Sequence, residues 1–190
     1  MIQRIFIAAG LPETLSAKLA RIPDKYQIPV SWVPADNLHL TVLFLGAVRS
    51  ENLYQIIREV EQAVKDRPSF TLKFNRVEYG PDDSLPPRLV WLLGEKNSQF
   101  EEMRDEIDRR LKKENLYYLT NQSKESKIHV TLGRVKKWEW AKLEADSRLP
   151  IREELVSEIP IDELLIMESK LSPGRPPQYF ILEKIPLKKS

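Results

Sequence analysis

The chain has 190 residues, 42% of them hydrophobic, which is enough for one substantial core or for two small lobes sharing an interface. Its 30 basic and 28 acidic residues leave a formal charge of +2, which excludes a global field drawing the protein onto nucleic acid or an anionic membrane; an anionic ligand has to be held locally. With no cysteine, disulfides, thiolate catalysis and cysteine-ligated zinc or iron–sulfur centres are excluded, and the cytoplasm is a suitable compartment.

The opening stretch MIQRIFIAAGLPETL has an apolar run too short for a signal peptide or a membrane span, so RIFIAAG is expected to be a first strand. After Pro12, Leu15, Leu19 and Ile22 recur at helical spacing. A turn at Pro34 to Asn37 leads into a strand from about Leu38 to Leu45. A helix follows, with Leu53, Ile56, Ile57, Val60 and Val64 on one face and Ser50 as its expected N-cap. FTLKFNRVEYG alternates Phe70, Leu72 and Phe74 with polar residues and is expected to close this first set as a half-buried strand.

The pattern then restarts. RLVWLLGE predicts a strand, SQFEEMRDEIDRRLKKENL a helix with Phe100, Met103, Ile107 and Leu111 on one face, and KIHVTLGRV another strand. WEWAKLEADSRL is helix-like, IPIDELLIMESKL reads as one strand, and KLSPGRPPQYF is a Pro-rich hairpin before a last strand. Phe70 follows His39 by 31 positions and Ile159 follows His129 by 30, so each histidine holds the same place in a repeated strand, helix, His-strand, helix, strand unit. The expected fold is α+β, bilobal and duplicated: two antiparallel sheets with outer helices around a central cleft. Approximate lobes are 1–80 and 88–170, with a C-terminal hairpin and strand over 171–190, all in one domain.

The two histidines are the only ones in the chain, and each is followed two residues later by a threonine, in LHLTVLFLG and IHVTLGRV. Strand side chains alternate faces, so His39 and Thr41 share one face while Leu40 and Val42 share the other, and likewise for His129 and Thr131. Two imidazoles with an ordinary pKa of about 6.5 can divide acid and base work, one accepting a proton and the other donating. Hydroxyl donors beside them suit a phosphodiester undergoing in-line displacement, holding its non-bridging oxygens as charge redistributes. A metal site competes for the same histidines, but neither lies in an H-E-x-x-H pattern; a serine nucleophile would want a G-x-S-x-G elbow, and none is present. No metal or cofactor is expected.

These motifs resemble the two-histidine phosphoesterases, and within them the LigT-like RNA 2',3'-cyclic phosphodiesterases. The resemblance runs through RIFIAAGLP, WVPADNLHLTVLFLG, PRLVWLLG, IHVTLGRV and ESKLSPGRPPQYFILEKIPL, nearly the whole chain in the family's order. It implies opening of a terminal RNA 2',3'-cyclic phosphate to a 2'-phosphate, with His39 as proton donor to the 3' leaving oxygen. By the same resemblance His129 is the base that activates water, and Thr41 and Thr131 contact the phosphate. Arg134 occupies a position where the family usually has arginine; strand parity from His129 turns it away unless Gly133 allows a bulge, so phosphate contact and a surface salt bridge both stand. Phe44 is expected in the core by the same parity, with base stacking as its other reading. Tyr179 and Arg175, on the hairpin, are candidate nucleotide contacts, and Lys124 and Lys127 candidate RNA contacts. Ile128 stands where many relatives have proline.

The rival substrates are a small cyclic nucleotide or a 2'-5' linked oligonucleotide, with 2'-5' RNA ligation as the reverse reaction; the rival function is a non-catalytic RNA-end binder. The protein is expected to act as a cytoplasmic monomer without a membrane association or an obligate protein partner, recognising the terminal one or two nucleotides.

Overall fold

The computed structural model describes residues 1–81, 85–117, 127–148, 150–174 and 176–189. The first half of the chain forms β1 (Ile2–Ala9), α1 (Glu13–Leu19), α2 (Ile22–Lys25), β2 (Val30–Trp32), β3 (Leu40–Arg49), α3 (Leu53–Val64) and β4 (Phe70–Gly80). The second half forms β5 (Leu89–Gly94), α4 (Ser98–Lys113), β6 (His129–Val135), α5 (Lys137–Ala141), β7 (Arg152–Ile161), β8 (Glu163–Lys170) and β9 (Gln178–Pro186). The fold is α+β, built on a large antiparallel sheet. Strand order is β7-β4-β5-β6-β3-β1-β8-β9, and β2 is added on β6.

Where two sheets are expected, the strands follow one hydrogen-bonded path that narrows at its middle to a single partner pair, Leu40 with Val130, between β3 and β6. The His-bearing segments lie at the centre, the opening strand of each unit (β1, β5) lies next to them, β4 and β8 come after, and β7 and β9 form the edges. Thus β4 pairs with β5 and β7, and does not close the first set, while β8 pairs with β1 and β9. The strand pairing therefore does not follow the consecutive lobes 1–80 and 88–170. Connection length accounts for this pairing: β4 and β5 are close in sequence and pair as antiparallel neighbours, while the chain passes from one half to the other at Asp162, the one residue between β7 and β8.

Burial explains the composition of the strands. β1 and β8 read as nearly continuous apolar runs because both of their faces are covered: Ile5, Ile7, Leu164 and Ile166 enter the main core, while Phe6, Ala8, Leu165 and Met167 form a second cluster. Helices α3 and α4 put Ile56, Val60, Phe100, Met103, Ile107 and Leu111 into the main core from outside. Asn97 caps α4 by accepting a hydrogen bond from the Phe100 amide at 3.0 Å. Ser50 does not cap α3; it opens a 3-10 turn and donates its hydroxyl to the Met1 carbonyl at 3.1 Å, tying the turn to the N-terminus.

Candidate active site

The pairing of Leu40 with Val130 sets the centre of the site. Continuing this antiparallel register one residue in each direction puts His39 opposite Thr131 and Thr41 opposite His129. Each imidazole thus has the other motif's hydroxyl as its cross-strand neighbour, which spacing within either motif alone does not reveal. His39 immediately precedes β3 and His129 begins β6. Both rings are anchored in the same way: Nδ1 of His39 lies 2.7 Å from the Asn37 carbonyl, and Nδ1 of His129 lies 2.7 Å from the Lys127 carbonyl. A carbonyl only accepts, so each Nδ1 carries the hydrogen and donates, leaving Nε2 of each ring for chemistry. Asn37 in turn donates from Nδ2 to the Pro177 carbonyl at 2.9 Å, fastening the turn before His39 to the C-terminal hairpin.

Two matching bulges decide what else faces the site. Between Ile7 and Ala8 the β1–β3 register skips Val42, and Val42 and Leu43 are both buried. Between Val90 and Trp91 the β5–β6 register skips Leu132, and Leu132 and Gly133 are both buried. Each bulge lies between the Thr and the residue five positions after the His, and each reverses the parity there. Arg134 is consequently exposed and lines the cavity beside Thr131. The core expectation for Phe44 fails for the same reason: it is 51% exposed, lines the same cavity, and its ring centroid lies 5.9 Å from that of Phe6. Phe44 and Arg134 are equivalent positions of the repeat.

The cavity has a volume of about 610 Å³, and its wall includes His39, Thr41, Thr131, Phe44, Arg134 and Tyr179. His39 packs on Phe6 at 5.0 Å between centroids and meets Tyr179 at 5.2 Å with the rings at 88°. His129 stands beside this wall, not on it, against Trp91 at 4.6 Å. Lys127 brings its Nζ within 5.7 Å of the same indole, so residue 127 holds the His129 ring by its carbonyl and the supporting Trp by its side chain. Burial pushes both histidines below the ordinary value of 6.5, and the charge of His129 pushes His39 further the same way; the Asn37 and Lys127 carbonyls oppose the shift. Protonation of one ring therefore opposes protonation of the other, which disfavours the state in which both rings are charged.

The structure thus gathers His39, His129, Thr41, Thr131, Arg134, Phe44 and Tyr179, while Arg175 and Lys124 lie outside the described residues. Sequence reasoning did not single out Phe6 and Trp91, which support the imidazoles, or Arg4, on the cavity wall. The signal for the two aromatics was a large ring inside an otherwise aliphatic strand, RIFIAA and RLVWLLG. Among the described residues no three His, Asp or Glu side chains are grouped as a metal would need, and no helix is long and apolar enough to cross a membrane.

Residues 5–91 match the family model of LigT-like phosphoesterases, a span that takes in the first His-x-Thr motif and stops before the second. An RNA 2',3'-cyclic phosphodiesterase of Thermotoga maritima is 28% identical over 180 residues, covering 91% of this chain and 90% of its own. One from Thermus thermophilus is 28% identical over 191 residues, covering 97% and 90%. Among solved structures, a Thermus thermophilus protein superposes with a TM-score of 0.81 at 25% identity, over 97% of both chains. Escherichia coli LigT, crystallised with 3'-AMP, gives 0.76 at 24% identity over 98% of this chain and 99% of its own. Residues 5–91 are thus similar to the LigT-like phosphoesterases, and over nearly its whole length the chain has the fold of these solved structures.

Proposed function

We propose that the protein opens 2',3'-cyclic phosphate ends of RNA to 2'-phosphate ends by two-histidine acid–base catalysis, without a metal. The observation that carries this reading is the pair of imidazoles, each with Nδ1 committed to a carbonyl, on adjoining strands whose register sets each ring across from a threonine. The names of the relatives, RNA 2',3'-cyclic phosphodiesterases, support the substrate. In the reaction, Nε2 of His129 takes a proton from water as its oxygen bonds to phosphorus. The bond from phosphorus to O3' breaks, and Nε2–H of His39 gives its proton to O3'. Thr41 and Thr131 donate to the non-bridging oxygens, where charge concentrates in the transition state. The assignment of donor to His39 and acceptor to His129 follows the family resemblance, as the two anchors are alike. Arg134, Phe44 and Tyr179 hold the nucleotide on the cavity wall.

The test is product analysis in EDTA with short RNAs ending in 2',3'-cyclic phosphate. The 2'-phosphate is expected, with His39→Ala and His129→Ala each losing about a thousandfold or more in kcat, the scale of a lost general acid or base. Formation of the 3'-phosphate, or full activity in either variant, rules out this mechanism.

A further inference from the structure

The cavity wall continues from His39 to polar side chains on β1, β8 and β9. One sheet row outward from Phe6, the strands β1, β8 and β9 bring three donors into line. Ile5 pairs with Glu168, so the next step of that register sets Arg4 beside Ser169, and Ser169 pairs with Tyr179. Arg4, Ser169 and Tyr179 all line the cavity. Arg4 and Arg134 are both near enough for their charges to act on the Tyr179 hydroxyl. Arg4 is exposed and forms no ion pair among the described residues, in contrast to Arg76, Arg109 and Arg110, which are bound to glutamates. The carboxylate closest in register, Glu168, is on the Ile5 face and is held by Lys170 at 3.6 Å. A guanidinium and two hydroxyls therefore line one cavity with no acceptor of their own among the described residues, the donor set of a phosphate site.

Its place relative to the histidines identifies the phosphate. Arg4 is two residues from Phe6 along β1, about 7 Å, and Phe6 is the ring on which His39 packs. A ribose spans a separation of this order between its 2' and 3' oxygens and its 5' oxygen, so a nucleotide whose cyclic phosphate lies at the histidines can extend its 5' oxygen toward Arg4. We propose that Arg4, Ser169 and Tyr179 form a second anion subsite, which takes the phosphate on the 5' oxygen of the nucleotide being opened and so favours RNA ends over free nucleoside cyclic phosphates. The subsite rests on the cyclic phosphodiesterase reading.

The test compares kcat/KM for three compounds: adenosine 2',3'-cyclic phosphate, its 5'-phosphorylated form, and the dinucleotide ApA ending in the cyclic phosphate. Both 5'-substituted compounds are expected to exceed the nucleoside by about tenfold or more, as for a charge-assisted pair, mainly through KM. Arg4→Gln brings that ratio to about one, Arg4→Lys retains part of it, and Ser169→Ala causes a smaller fall. Equal kcat/KM for all three compounds in the unsubstituted protein overturns the subsite alone. So does a gain with the dinucleotide only, which would assign the preference to the upstream nucleoside, or a fall in Arg4→Gln that is the same for all three. Opening of none of them overturns the cyclic phosphodiesterase reading and the subsite with it.

Discussion

At the residue scale, the histidines are tuned by where they are buried. Each imidazole is paired through Nδ1 to a carbonyl and backed by aromatic carbon, so desolvation outweighs the hydrogen bond and favours the neutral form. On the proposed mechanism catalysis needs one proton on the pair, and burial moves the protonation of both rings to the acid side of the ordinary value of 6.5. The bell of kcat/KM against pH is therefore expected to be centred on the acid side of that value. A bound phosphodiester anion favours imidazolium, so the bell of kcat is expected to lie alkaline of the kcat/KM bell. Coincident bells centred above 7 would show that burial does not govern these groups. The same shift has a consequence for folding: the unfolded chain binds these protons more readily, so stability falls as pH drops from about 6.5 through the lowered folded-state values. His39→Gln should make this fall shallower in denaturant titrations at several pH values.

At the element scale, legibility followed burial pattern. The helices α3 and α4 and the strands β1, β3, β5 and β6 were readable because each commits an uninterrupted apolar face to the core. β7 was not: its segment REELVSEIPI is an edge strand, half-exposed over most of its length, so its charges mask the period of two. The His-x-Thr faces were legible from parity, but Phe44 was not, because an alternation rule cannot see a bulge that adds one residue; Gly133 hinted at the matching bulge before Arg134. The pairing of β4 with β5 and of β1 with β8 was equally invisible, since order along the chain does not specify which neighbour a strand takes. The register also explains why Gly80, on β4, matters to a histidine two strands away. A Cβ there would fall within the Trp91 ring, and Trp91 supports His129. Gly80→Ala is expected to cost about 1–3 kcal/mol by overpacking, and about tenfold in kcat through displacement of the indole. Adding Trp91→Leu should recover stability while leaving kcat low. A stability loss with unchanged kcat would separate Trp91 from the chemistry.

At the scale of the whole molecule, the charge distribution bears on how much RNA the proposed enzyme can grip. The nearly balanced composition predicts recognition confined to the chain end: Arg109, Arg110 and Lys112 of α4 are held by Glu106, Glu59 and Asp108, whereas Arg4 and Arg134 at the cavity have no ion pair among the described residues. Binding should then neutralise the terminal phosphate and the one next to it, and little else. For single strands each phosphate neutralised contributes a slope of about −0.7 in log K against log salt, so two contacts give a slope of about −1.4. This can be measured by titrating 2'-phosphate-ended RNAs of one to ten nucleotides between low and physiological salt. Affinity and slope are expected to rise from the mononucleotide to the dinucleotide and then to level off. Arg4→Gln should lower the slope for the dinucleotide by about one phosphate's share, about 0.7, and leave the mononucleotide that lacks a 5'-phosphate at its own shallower slope. A slope that continues to steepen with length would require a basic track along the surface, and would replace the proposed end-recognising enzyme with one that follows the backbone.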